Sequence, residues 1–162
     1  MAFNQPNLCS SPVWNPDAIT LSDNDVVDRN IGTIVVSDAN SLYALEPHIQ
    51  QVRLWLEGST VPMVAISGNF SNSQGLFVSP VGDVYIGSGK SNNRVEKWPA
   101  NASSGWTVMN VSDRCFSLFL DLNGRLYCSL DALHQVVATS LSTNTTTPTI
   151  MAGTGTDRKS VV

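Results

Sequence analysis

Two histidines are the residues best suited to chemistry in this sequence, and they are too few for a catalytic centre. His48 and His134 are the only histidines among 162 residues, and they fall in predicted loops that are not equivalent. Catalytic zinc generally takes three protein ligands. A hydrolase triad is not indicated either, because Asp131 stands only three residues before His134 and no Gly-x-Ser-x-Gly elbow occurs. We therefore predict no catalytic residues, no metal site and no cofactor, and we interpret both histidines as surface-loop residues.

An acidic cluster near the N-terminus is the next candidate. Asp23, Asp25 and Asp28 stand within seven consecutive residues. Loops rich in oxygen ligands bind calcium, but this segment lacks the glycine and the distal glutamate of an EF-hand loop. A solvated loop is the favoured interpretation, and a structural calcium ion is the alternative.

Cys115 and Cys128 are the candidate disulfide pair. The chain has three cysteines, so an odd one, Cys9 in this pairing, is left over. With a two-residue turn at residues 123–124, Cys128 opposes Phe119, and this register disfavours a direct bridge. A bend at the start of the first strand would bring Cys115 near its partner, so both alternatives stay open.

Composition and charge limit the classes of partner. Hydrophobic residues make up 42% and charged residues 14% of the chain, which is typical of a globular protein. The net charge is −4, and the nine lysines and arginines are scattered. Nucleic-acid binding usually needs a basic face, so we expect no nucleic-acid partner.

The compartment is only weakly marked. No apolar run approaches about 18 residues, so no membrane span is visible. Residues 1–11 contain neither a basic region nor an apolar core, so no signal peptide is visible. Asn-x-Ser/Thr sequons favour a secreted parent protein; they begin at Asn69, Asn101, Asn110 and Asn144.

An internal repeat is the strongest signal, and it predicts the elements that position these residues. Tyr43, Tyr85 and Tyr127 follow one another at intervals of 42 residues. Each closes a segment made of an apolar run, a polar turn and an aliphatic residue. Further β-rich runs follow each tyrosine at matching places. The segment that ends in tyrosine occupies residues 32–43, 75–85 and 117–127 in the three copies. The next β-rich run occupies residues 51–55, 94–98 and 135–139, and the last occupies residues 62–66, 106–111 and 148–152.

Four short β runs in each repeat predict an all-β fold, a β-propeller of four-stranded blades. Residues 79–83 and 121–125 contain glycines suited to hairpin turns. Trp55 and Trp98 recur at equivalent positions, and this recurrence favours packing over ligand binding. We interpret Trp14 and Trp106 in the same way.

The pattern Gly-aliphatic-x-aliphatic-Asp-x-x-Gly-x-aliphatic-Tyr, followed by Asn-Arg-aliphatic-x-x-aromatic, resembles the NHL repeat. Residues 75–98 match it best, residues 117–139 match in their first half and residues 32–55 are divergent. In overall character the chain resembles large NHL-repeat proteins of invertebrates. NHL repeats often carry Asp shortly after the tyrosine, where this chain has Glu46, Ser88 and Leu130, so any role of that Asp is not carried over.

The resemblance implies about three blades of an incomplete, six-bladed ring. We assign residues 31–71, 72–113 and 114–155 to the three blades. Residues 1–30 are predicted to hold the outer strand of a preceding or closing blade, and residues 156–162 a truncated tail. A closed propeller typically has 4–8 blades, so we expect a fragment of a longer protein, with a self-associating unit as the alternative.

The predicted function is a non-catalytic module that binds a protein or a small ligand through its interblade loops. Self-association through the exposed blade faces is also expected. One alternative is part of a six-bladed enzyme of the lyase or lactonase type. Another is an RNA-binding NHL domain as in the tripartite-motif ubiquitin ligases, which the acidic balance disfavours. No RING-type Cys/His spacing is present, so ligase activity does not reside in this chain.

Overall fold

The computed structural model describes residues 10–13, 16–17, 20, 30–89 and 92–155. In these residues twelve strands form three antiparallel sheets of four, each in chain order, which we call blades 1 to 3. Blade 1 contains β1 Thr33–Val36, β2 Leu42–Glu46, β3 Gln51–Trp55 and β4 Met63–Ser67. Blade 2 contains β5 Leu76–Val78, β6 Val84–Gly87, β7 Arg94–Trp98 and β8 Trp106–Asn110. Blade 3 contains β9 Cys115–Leu120, β10 Arg125–Leu130, β11 Gln135–Ser140 and β12 Thr149–Ala152, with a 3₁₀ turn at Asp131–Leu133.

The blades stack face to face, with their first strands at a common centre. Strand β5 contacts both β1 and β9, which places the fourth strands at the outer rim. Two apolar clusters fill the spaces between the sheets. Between blades 1 and 2 lie, among others, Leu45, Val52, Phe70, Ile86 and Trp98. Between blades 2 and 3 lie, among others, Phe77, Val95, Met109, Leu118 and Leu126.

The same hairpin turn joins the first two strands of every blade. Residues 37–41, 79–83 and 121–125 form it, and the fourth residue of each has a positive φ: 52° at Asn40, 86° at Gly82 and 73° at Gly124. Asn and Gly tolerate this left-handed backbone. The first residue fixes the turn, because its side chain accepts a hydrogen bond from the backbone N–H four residues later. The acceptors are Ser37 Oγ at 3.3 Å, Ser79 Oγ at 3.1 Å and Asp121 Oδ1 at 2.8 Å.

The predicted two-residue turn in blade 3 is wrong. Asp121 donates its N–H to the Arg125 carbonyl at 3.0 Å, so the loop between them has three residues. The register therefore moves by one, and Cys128 opposes Leu118 instead of Phe119.

A bulge in β9 decides the geometry of the cysteine pair. The register shifts between Ser129 and Leu130, so Cys115 opposes Leu130 and lies on the same face as Cys128. The two Cα atoms are 5.6 Å apart, and the structure joins the two residues in a disulfide. This bulge removes the register mismatch that disfavoured a direct bridge.

The repeat aromatics differ in burial. Tyr85 is buried, whereas Tyr43 and Tyr127 are half-buried, and all three lie in second strands. Trp55 and Trp98 are buried at equivalent ends of β3 and β7. Trp106 is 54% exposed, so the expectation that it packs in the core is wrong. Its position at the start of rim strand β8 explains this exposure.

Blade 3 leaves one face uncovered by the described residues. Phe77 and Phe119 are equivalent residues of β5 and β9, and their rings lie 6.0 Å apart, edge to face. Phe77 is 5% exposed because it faces blade 3, whereas Phe119 is 53% exposed.

Several expectations lie outside the described residues. They are the outer strand predicted around Trp14, the acidic cluster at Asp23, Asp25 and Asp28, the environment of Cys9 and the tail at residues 156–162. Among the residues that are described, no helix is both long and apolar enough to cross a membrane.

Candidate functional site

The loops fall into two groups at the two ends of each blade's inner hairpin. Because the strands are antiparallel, the hairpin turns lie at one end, and the loops from second to third strands lie at the other, beside the connections between blades. We call this second end the cleft end. Its described loop residues are 47–50, 68–75, 88–89, 92–93, 111–114 and 131–134, between strands whose bounds are given above.

A shallow cleft of about 270 Å³ opens at the cleft end. Three separate loops line it. Asn72 comes from the connection between blades 1 and 2, Asp113 and Arg114 from the connection between blades 2 and 3, and Asp131 and Ala132 from the 3₁₀ turn of blade 3. Asn72 and Arg114 are separated by 42 residues, so the repeat itself places them at matching points of successive blades.

Two carboxylates and a guanidinium give the cleft its chemistry. Asp113 is buried, and its Oδ1 atom accepts a hydrogen bond from the backbone N–H of Arg114 at 2.7 Å. The Arg114 guanidinium carbon lies 5.5 Å from the centroid of the Phe116 ring, at cation–π distance. Asp131 is exposed. The cleft thus presents guanidinium donors and carboxylate acceptors, which suit a polar ligand.

The histidines lie in equivalent loops, contrary to the expectation from sequence. His48 is in the loop between β2 and β3, and His134 is in the loop between β10 and β11. The residues just before the third strands share a positive φ: 58° at Gln50, 46° at Asn93 and 49° at His134. His134 therefore matches Gln50, and His48 stands two positions earlier.

The spacing of Asp131 and His134 has a backbone origin. The His134 N–H donates to the Asp131 carbonyl at 3.1 Å and closes the 3₁₀ turn. Both side chains are exposed. Within the part of the chain that the structure describes, no group of three His, Cys, Asp or Glu residues is arranged to hold a metal ion.

The positions three residues after the repeat tyrosines are buried. Glu46, Ser88 and Leu130 all stand three residues after a tyrosine, and all are buried. Glu46 forms an ion pair with Arg53, with 2.9 Å between Oε1 and Nε. These residues pack the blades and do not reach the cleft.

Sequence reasoning missed Asn72, Asp113 and Arg114. They stand just before the first strands of blades 2 and 3, in connections that carry no motif. The available signal was their place in the repeat, because connections between blades converge around the axis of a propeller.

The comparisons agree with the architecture. No protein-family model matches the chain, and no curated protein matches it. Among solved structures, a chain of a nidogen/laminin complex superposes with a TM-score of 0.61 at 12% identity, covering 72% of this chain and 48% of that one. The WD40 β-propeller domain of Doa1 gives 0.58 at 16% identity, covering 75% and 40%. Virginiamycin B lyase from Staphylococcus aureus gives 0.57 at 11% identity, covering 72% and 39%.

The three sheets form part of a β-propeller. The chain spans less than half the length of these solved chains. At such low identities the likeness concerns the fold alone, and these neighbours include both enzymes and binding modules.

Proposed function

We propose that this propeller is a non-catalytic binding module of the NHL kind, which recognises a protein or a small ligand through its cleft end. One observation carries the proposal: three loops from different blade junctions bring Asn72, Arg114 and Asp131 into one cleft. Loops held on a rigid sheet frame are the usual place for recognition. A solved neighbour taken from a nidogen/laminin complex supports protein binding as a use of this fold.

Arg114 is the residue most suited to anchor such a ligand. Asp113 holds its backbone, and Phe116 supports its guanidinium face. A guanidinium fixed in this way loses little freedom when it binds a carboxylate or another acceptor. Asp131 supplies an exposed acceptor for a donor on the same ligand. We therefore expect a ligand that carries both an acceptor and a donor, such as a polar peptide.

A peptide library displayed on phage tests the proposal. Peptides selected on the full chain are expected to lose about tenfold or more in affinity towards Arg114→Ala and Asp131→Asn, since a hydrogen bond to a charged group contributes roughly 1.5–3 kcal/mol. Arg125→Ala is the matched control, because Arg125 is an exposed arginine in the hairpin turn at the opposite end. Failure to select any peptide, or equal binding to all variants, would overturn the proposal.

A lyase-type enzyme is the other class that the neighbours suggest, through virginiamycin B lyase. That suggestion rests on the name of a neighbour, whereas the binding proposal rests on the cleft. A peptide that is bound at the cleft and recovered chemically intact supports binding, and a peptide that is cleaved there supports the enzyme.

We also propose that the uncovered face of blade 3 receives a second copy of this chain. Phe119 continues the aromatic row of Phe77. On the first blade, Ile34 and Val36 are each more than half exposed, whereas their equivalents Leu76 and Val78 are buried against blade 1. We therefore expect the contact between blade 3 of one copy and blade 1 of another to resemble the interfaces between blades within one chain.

Light scattering tests this contact. We expect dimers of the wild-type chain and monomers of Phe119→Asp. Leu122→Asp is the control, because Leu122 is an exposed apolar residue of the hairpin turn and lies away from the face. A monomeric wild-type chain, or a dimer that survives Phe119→Asp, would disprove the contact.

A further inference from the structure

Four sequons divide into two groups by their place in the blades. Asn101 and Asn144 lie in the loops between third and fourth strands, at residues 99–105 and 141–148. These loops are at the outer rim, and they occupy equivalent places in blades 2 and 3. Asn69 and Asn110 instead lie in or beside the connections between blades, which also build the cleft.

In both rim sequons the acceptor asparagine is exposed. Asn101, Ser103, Asn144 and Thr145 are exposed, and Ala102 and Thr146 are half-buried. Asn101 has a φ of 62° and stands in a turn closed by the Ala102 N–H, which donates to the Pro99 carbonyl at 3.0 Å. Among the described residues, neither asparagine side chain forms a hydrogen bond, and both residues are exposed.

In the other two sequons the asparagine is also exposed, but the residue that follows it is packed in the core. In the first, Phe70 follows Asn69 and is fully buried, with its ring edge-on to Trp98 at 5.9 Å. In the second, Val111 follows Asn110 and is buried.

The acceptor nitrogen of Asn110 is also occupied. Its Nδ2 atom donates to Thr146 Oγ1 at 2.8 Å, and its backbone N–H donates to the Thr146 carbonyl at 2.7 Å. A glycan on Asn110 would replace the first bond and wedge between blades 2 and 3.

We propose that Asn101 and Asn144 are N-glycosylation sites and that Asn69 and Asn110 are not. The transfer joins the asparagine Nδ2 atom to the anomeric carbon of an oligosaccharide carried on a lipid diphosphate. The bond between that carbon and the diphosphate oxygen breaks, the lipid diphosphate leaves with the electron pair, and one amide proton passes to a base. The glycans are bulky and solubilising, and from the rim they shield the fourth strands while the cleft stays open.

The test is expression of the full chain behind a cleavable secretion signal in a eukaryotic host, followed by intact mass measurement before and after endoglycosidase treatment. We expect two glycans. Asn101→Gln and Asn144→Gln each remove one, whereas Asn69→Gln and Asn110→Gln leave the glycan count unchanged. Ser103→Ala removes the Asn101 sequon without changing the turn residue Asn101, and Thr146→Ser preserves the Asn144 sequon.

Each alternative result is decisive. A secreted chain without glycans overturns the proposal, and so does a glycan located at Asn69 or Asn110 by peptide mapping. Loss of the Asn101 glycan in Ser103→Ala, together with retention of the Asn144 glycan in Thr146→Ser, separates sequon use from a folding defect.

Discussion

Phe77 and Phe119 occupy the same place in successive blades, and only Phe77 is covered by a following blade. Comparing the two residues therefore shows how much burial a following blade provides. The chemistry of the two side chains is the same, so the difference in exposure is the variable that separates them.

We expect Phe77→Ala to lower the free energy of unfolding by about 3–5 kcal/mol, because it empties a packed site. Phe119→Ala is its matched control and should cost less than about 1 kcal/mol, as most exposed substitutions do. Chemical denaturation followed by circular dichroism, at a concentration where each variant is monomeric, measures both. Equal losses would mean that blade 3 does not cover Phe77.

The Cys115–Cys128 disulfide predicts one free thiol per chain. Thiol titration of the denatured, unreduced protein should find one reactive cysteine, and titration after reduction should find three. The bridge closes a short loop, so Cys115→Ser together with Cys128→Ser should lower the unfolding free energy by about 2–4 kcal/mol. Cys9→Ser should leave the Cys115–Cys128 bridge intact. Three free thiols before reduction would rule the bridge out.

Asp121 makes the stability of one hairpin depend on pH. The Arg125 backbone N–H, the Asn123 N–H and the Tyr127 hydroxyl all donate to its carboxylate and hold its pKa below the usual value. Because the folded pKa is lowered, the stabilisation is present above the unfolded pKa, near 3.8, and is lost as the pH falls through the folded pKa. The stabilities of wild type and Asp121→Asn should therefore differ at neutral pH and converge in acid.

Ser79→Ala is the control for the acid experiment. Ser79 accepts the equivalent turn hydrogen bond from Asp83, but its hydroxyl does not titrate. The loss of unfolding free energy in Ser79→Ala should be the same at neutral and at acid pH. Urea denaturation measures both variants across this pH range. If the stability difference between wild type and Asp121→Asn is also independent of pH, the Asp121 carboxylate does not make the turn depend on pH.

Gly87 is required for the close approach of blades 2 and 3. A Cβ atom there would lie 2.8 Å from the Cys115 Cβ and 3.1 Å from the Cys115 carbonyl oxygen. We expect Gly87→Val to destabilise the chain by about 1–3 kcal/mol through overpacking. Thermal unfolding of Gly87→Val and of the smaller Gly87→Ala measures this effect. We expect Gly87→Ala to be destabilised less than Gly87→Val, and a Gly87→Val variant as stable as wild type would argue against the close contact.

The sequence predicted the strands well because the interval between Tyr43, Tyr85 and Tyr127 marks one repeating unit. It missed the hairpin register in blade 3, where Asp121 closes a three-residue loop with Gly124 in the left-handed region. It also missed the bulge beside Cys115, which lies where Cys115 packs closely against Gly87. Turn hydrogen bonds and close contacts between blades set these details, and periodicity alone does not contain them.

The candidate cleft was less predictable than the fold. Asp113 and Arg114 have no motif and become neighbours of Asp131 only after two blades have packed together. The interblade loops that were predicted to bind a ligand include the loops of these residues. Which side chains line the cleft, however, depends on the tertiary structure.

Blade 2 is the only described blade with a sheet on each side, and this has a consequence for the order in which the chain opens. Every residue of β5 and β6 is buried, whereas every residue of β12 is exposed. In a linear stack each unit depends on its neighbours, so the middle is the most protected. Backbone amides in β6 should exchange with deuterium most slowly and those in β12 fastest, so that fluctuations start at the rim of blade 3 and reach the middle of the stack last.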